Sequence, residues 1–356
     1  MMKRLFFAGI AILTLMLSGC QENQQSDQTT GNRPIFVRDS ADQNNDFYDN
    51  EPFFELPGPD KILVGGEVEK EVWVDLSKLT THSVQVRETH LENGEVGFTG
   101  AYRYDGPSLF DVLKEVRVAK RNAAEFPPII DQYVVIYGSD GDSVTLSWGE
   151  LYYPVHLHEI IIAERVMRIV PSKTGEHWPL PEQRKLVVAS DLVTVRNISE
   201  PARIMIRSCR VDIPIDRSVT MWSDQMVMSL SDSDKQTLTK LPAGLKPVEY
   251  NQVFYGRGMG IHGISTFRGA WLKEMIQGRL PETVDRLRNG MFVFSAIDGY
   301  RCSVTWSEMM NRCDGEGVIL IDQDNYEGAG RFSCLFTADY FSDRAMKSIT
   351  DIRLIQ

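Results

Sequence analysis

Basic residues are in short supply: 38 Lys and Arg stand against 49 Asp and Glu, a formal net charge of −11. Nucleic-acid binding draws on clustered Lys and Arg, so the balance excludes nucleic acid as a partner. Beyond the first twenty residues no stretch is apolar enough to cross a bilayer, which takes about 20 such residues. Cysteine is scarce, five in 356 residues, and none stands in a CxxC or CxxH spacing, which argues against a structural zinc site. There is no nucleophile elbow, no HExxH pair, no phosphate-binding P-loop and no EF-hand loop.

What is present starts at the N-terminus. Lys3 and Arg4 precede an apolar run from Leu5 to Leu17, followed by Ser18, Gly19 and Cys20. A basic start, a short apolar segment and small residues at a cleavage point describe a secretory signal peptide. The tetrad Leu17-Ser18-Gly19-Cys20 resembles the lipobox of bacterial lipoproteins. That resemblance implies a signal peptide over residues 1–19, a lipid on Cys20, a membrane partner through that lipid and a place in the cell envelope. Gln21 stands where Asp would favour the inner membrane, so in a Gram-negative cell the resemblance implies the outer membrane. Cleavage removes Lys3 and Arg4 and no acid, leaving 36 basic residues against 49 acidic ones, or −13. Residues 20–58 are rich in Gln, Asn, Asp and Ser and read as a disordered tether.

The rest of the chain compares well with itself. Asp140-Gly141 recurs as Asp298-Gly299, and Ser147-Trp148-Gly149-Glu150 as Thr305-Trp306-Ser307-Glu308, both at an offset of 158. Asp191 and Arg196 recur as Asp339 and Arg344 with the same spacing of five. Local patterns agree. Tyr133–Tyr137 and Met291–Phe294 read as strands ending near Asp-Gly turns. Ser147 and Thr305 read as helix caps, with Glu150 and Glu308 three residues on, a capping box in each copy. The pattern predicts duplication and an α+β class. Domain one would span 59–206, residues 207–244 would be a connector, and domain two would span 245–356.

These segments carry a second resemblance. Ile62–Val68, Val72–Leu79, Gly106–Leu113, the Asp140-Gly141 turn and Leu186–Asp191 follow one another as in the molybdopterin-binding domain of sulfite-oxidase-type enzymes, and Asp298-Gly299-Tyr300 matches the turn in copy two. The resemblance implies two tandem molybdopterin-binding-like domains and a molybdopterin cofactor held through a cysteine thiolate. The matching stretches, Val84–Gly94 and Gln252–Gly263, contain no cysteine. That points to the fold without the usual metal ligation.

Several residues are candidates for chemistry. His156 and His158 alternate, and on a strand would share a face and could begin a metal site that Glu159 and His177 might complete. The glycine-dense loop 255–263 could bring backbone N–H groups to an anion, with Arg257, His262 and Arg268 lining a cofactor cleft. Trp148, Trp306, Met221, Met226 and Met228 read as packing residues. The four cysteines after Cys20 could form a Cys302–Cys313 or Cys302–Cys334 bridge. The leading functional expectation is a lipid-anchored binding or accessory protein with an envelope protein partner. The other expectations are a cofactor-dependent oxidoreductase and a structural subunit of an envelope complex.

Overall fold

Burial alternates with period two through the longest elements. Along Thr81–Glu92, Val84, Val86 and Glu88 are buried between more exposed neighbours, the pattern of a strand with one wet face. The structure, a computed structural model, describes residues 48–49, 52–171, 174–256, 260–323 and 330–355. Its first strands are β1 (Tyr48–Asp49), β2 (Phe54–Glu55), β3 (Lys61–Gly66), β4 (Val72–Asp75), β5 (Thr81–Glu92), β6 (Glu95–Pro107), β7 (Gln132–Gly138) and β8 (Ser143–Ser147). Next come β9 (Ile160–Ala163), β10 (Arg165–Arg168), β11 (Val170–Pro171), β12 (Lys185–Val188) and β13 (Pro201–Ser208). The second half holds β14 (Met226–Ser229), β15 (Lys235–Leu238), β16 (Pro247–Gly256), β17 (Gly260–Trp271), β18 (Met291–Ala296), β19 (Arg301–Thr305), β20 (Val318–Asp322), β21 (Phe332–Phe336) and β22 (Ile349–Ile355). The helices are α1 (Leu109–Lys114), α2 (Trp148–Tyr152), α3 (Leu272–Ile276), α4 (Val284–Asn289) and α5 (Trp306–Met310).

Strands account for 47% of the described residues and helices for 12%, with the main sheets in a four-blade, propeller-like arrangement. This overturns the expected α+β class and its two tandem molybdopterin-binding-like domains. Helices of five or six residues cannot cover a sheet, so sheets bury one another. The stretches matched to a cofactor-ligating segment belong instead to two long hairpins, β5–β6 and β16–β17.

The two five-stranded sheets run β4-β3-β13-β7-β8 and β15-β14-β22-β18-β19. Each is closed by the last strand of its half, which lies parallel to the first: β13 to β3 and β22 to β14. Even the register repeats, since Tyr133 faces Ser147 as Met291 faces Thr305. The four-stranded sheets run β2-β10-β6-β5 and β16-β17-β20-β21. Two stretches read as tether and connector contribute to these sheets. Phe54 and Glu55 pair with β10 and Phe53 is buried, while β14 and β15 come from 207–244.

One apolar core takes side chains from both halves, from Ile62 to Ile352. Each large apolar side chain fully buried there contributes roughly 1.5–3 kcal/mol. Met226 and Met228 lie inside it, and Trp148 stacks on Tyr152 as Trp306 stacks on Phe292. Among the described residues the cysteines form no bridge: Cys209, Cys302 and Cys334 are buried free thiols and Cys313 is an exposed one.

Candidate functional site

The repeated residues meet where the halves join. Ser147 and Thr305 cap α2 and α5, each with both bonds of a capping box. Their hydroxyls also cross between halves. Ser147 Oγ donates to Glu308 Oε2 at 2.7 Å, and Thr305 Oγ1 donates to Glu150 Oε1 at 3.0 Å. Arg196 grips Asp191 with bonds of 2.8 and 2.7 Å and donates to Glu150 Oε2 at 2.9 Å. Arg344 grips Asp339 at 2.8 and 2.6 Å and donates to Glu308 Oε1 at 2.5 Å. The backbone makes the same exchange: Tyr340 N–H donates to Tyr153 O at 2.6 Å, and Leu192 N–H to Asn311 O at 2.7 Å. This is the self-complementary contact of a two-fold dimer, made within one chain.

Electrostatically the junction is tense. Burial pushes the Glu150 carboxyl up, to about 7, against the pull of Arg196, and the charge of Glu308 pushes the same way. Burial likewise lifts Asp339 to about 6, opposed by Arg344, and raises Asp191, opposed by Arg196. Every carboxylate oxygen of the four acids accepts at least one bond within this network. The network ties the two halves together.

A second cluster lies at the edge of the first half. His156 and His158 fall in a turn after α2, not on a strand, and with Glu159 they line one small pocket. His158 has a left-handed backbone, φ 71°, and its ring stacks on His82 from the start of β5, centroids 3.9 Å apart and 6° from parallel. Asp111, in the first turn of α1, joins them. His82 Nε2 lies 2.8 Å from Asp111 Oδ2, and His158 Nδ1 lies 3.6 Å from the same oxygen. Ser108 Oγ bonds to His158 Nδ1 at 2.8 Å and to Asp111 Oδ2 at 3.1 Å. Burial, then the neighbouring His82, hold His158 below the usual imidazole range. Asp111 lies below the usual carboxylate range: burial would raise it, but bonds from His82 and Ser108 and both histidines together bring it down. Ser108 is no nucleophile, because it is fully buried and caps α1. His156 and His177 are exposed outside this cluster, and Glu159 lies beside His156 with its carboxyl raised by burial. Sequence reading missed His82 and Asp111, which lie 76 and 47 residues from His158 and share no motif with it.

Of the residues expected to line a cofactor cleft, Arg257, His262 and Arg268, only Arg268 has a described side chain. Arg257 and the His262 side chain lie outside the described residues. Arg268 stands on the exposed face of the β16–β17 hairpin, paired with Glu249 at 2.8 Å. Molybdopterin ligation does not fit either. The Cys209, Cys302 and Cys334 thiols are sealed in the core, where burial pushes them up and keeps them protonated, whereas metal ligation needs a thiolate.

A groove of about 720 Å³ lies on the second half. It is lined by Leu230, Asp232 and Lys235, by Arg286 of α4, and by Arg353 and Leu354 of β22. In the first half the matching face is covered by the protein's own chain. There Glu69 N–H donates to Arg117 O at 2.9 Å and Ala119 N–H to Glu67 O at 2.8 Å, with Val68 bridging Val118. Arg121 N–H donates to the buried Glu67 carboxylate at 2.9 Å. Compared with models of known protein families and with curated proteins, the chain matches none.

Proposed function

We propose that this chain is a lipid-anchored binding protein of the cell envelope that docks an extended segment of a protein partner in the groove of its second half. One observation carries the reading. The first half fills the equivalent face with its own segment 117–121, through backbone bonds to the loop after β3, while the loop after β14 lines an open groove. A strand laid against exposed backbone is a common peptide-recognition mode. The groove walls mix Leu230, Leu280 and Leu354 with Arg286, Arg353, Asp232 and Asp351, so they offer an extended peptide both apolar contact and ends of either charge. The lipid anchor rests on the Leu17–Cys20 tetrad and the polar stretch after it.

Site-specific photo-crosslinking in the source cells tests this. A crosslinker at Ser231 should trap one defined envelope protein, Arg353→Glu should abolish that product, and a crosslinker at Asp140 should trap none. Labelled palmitate should enter the wild-type chain and not Cys20→Ser. Equal products from both positions, or none from Ser231, contradict the groove; palmitate in Cys20→Ser contradicts the anchor.

A further inference from the structure

The His82–Asp111–His158 cluster belongs to neither the junction nor the groove, and three separate chain segments bring it together. We propose that it is a binding site for one divalent transition-metal ion of the zinc type, with His82 Nε2, His158 Nδ1 and an Asp111 carboxylate oxygen as ligands.

The donor set is chemically suited to such an ion: two imidazoles and one carboxylate form a common borderline ligand set. Spacing agrees. Ligands about 2.0–2.2 Å from a shared ion at tetrahedral angles lie roughly 3.3–3.5 Å apart. The observed 2.8 and 3.6 Å to Asp111 Oδ2 bracket that value, and all three donor atoms lie within 4.8 Å of one another. The side chains are 22, 16 and 31% exposed, which lets an ion enter while the protein holds its ligands. His158 sits in a left-handed conformation, φ 71°, that a histidine adopts at a cost of order 1 kcal/mol. That backbone carries its ring over His82.

Binding rearranges the cluster in a defined way. An imidazole lone pair lies in its ring plane, and two planes 6° from parallel do not meet at one point. The rings must therefore open toward the carboxylate. The His82–Asp111 and His158–Ser108 hydrogen bonds give way to metal bonds, and Ser108 Oγ keeps its bond to Asp111 or takes the fourth position. Lys114, 3.8 Å from Asp111 Oδ1, faces the site and opposes the ion. It is more than half exposed and can swing into solvent.

Calorimetric titration of untagged full-length protein with zinc chloride tests the proposal. One equivalent should bind. His82→Gln and His158→Gln should each weaken it by more than the roughly 10–100-fold that losing an outer hydrogen-bond partner costs, while His156→Gln leaves it unchanged. In wild-type protein the imidazole nitrogen resonances of His82 and His158 should move with zinc, a readout that stands even if a variant fails to fold. The absence of a binding isotherm, an undiminished affinity in both folded variants, or unmoved His82 and His158 resonances would overturn it.

Discussion

At the residue scale the protein depends on charges hidden from water. Two guanidiniums, Arg196 and Arg344, are fully buried with four carboxylates. Such pairs are weak evidence of net stability, yet removing one partner costs about 3–5 kcal/mol because the other charge stays buried. Glu150 makes this testable by pH. Its folded-state value, about 7, lies above the ordinary 4.5. Between those values the folded chain holds a proton that the unfolded chain releases, so Glu150's contribution is fully present below about 4.5 and is lost as pH rises through about 7. The difference in melting temperature between wild type and Glu150→Gln should therefore fall between about pH 5 and pH 8. An unchanged difference at the two pH values would refute the assignment. The four acids and their arginines were legible as a repeat, through the spacing of five in Asp191–Arg196 and Asp339–Arg344. That they close on the glutamates of two capping boxes was not, because that contact depends on tertiary geometry. His158 was singled out for the wrong partner: alternation with His156 counts only on a strand, and the chain turns there.

At the element scale, local signals were sound and their pairing was hidden. The strands at Tyr133–Tyr137 and Met291–Phe294 and the helix starts at Ser147 and Thr305 lie within observed elements. The class was misread because each five-stranded sheet closes through a strand far along the chain from its parallel neighbour, 140 residues for β13 on β3 and 124 for β22 on β14, and local periodicity carries no record of such pairings. The capping boxes show how local and distant roles combine, since each cap hydroxyl also donates to the other half's glutamate. Ser147→Ala and Thr305→Ala should each cost about 0.5–2 kcal/mol as lost caps. Because both touch one network, the double variant should depart from additivity by roughly 0.5–3 kcal/mol. Urea unfolding of the four proteins measures this, and strictly additive losses would mean that the two caps act independently.

For the whole molecule, the two halves are one body. They share a core from Ile62 to Ile352, exchange backbone bonds between Tyr153 and Tyr340 and between Leu192 and Asn311, and lock Glu150 against Thr305 and Glu308 against Ser147. The binding reading places the partner on an outer groove, away from this junction. The asymmetry that opens this groove is a difference in loops: residues 117–121 cover one half, and nothing among the described residues covers the other in the same way. Scanning calorimetry of the intact chain, wild type beside Arg344→Ala, tests the unity of the halves most directly. The structure predicts a single transition whose calorimetric and van't Hoff enthalpies agree, shifted as a whole to lower temperature by the substitution. Two resolved transitions, with Arg344→Ala moving only one of them, would show that the halves fold separately.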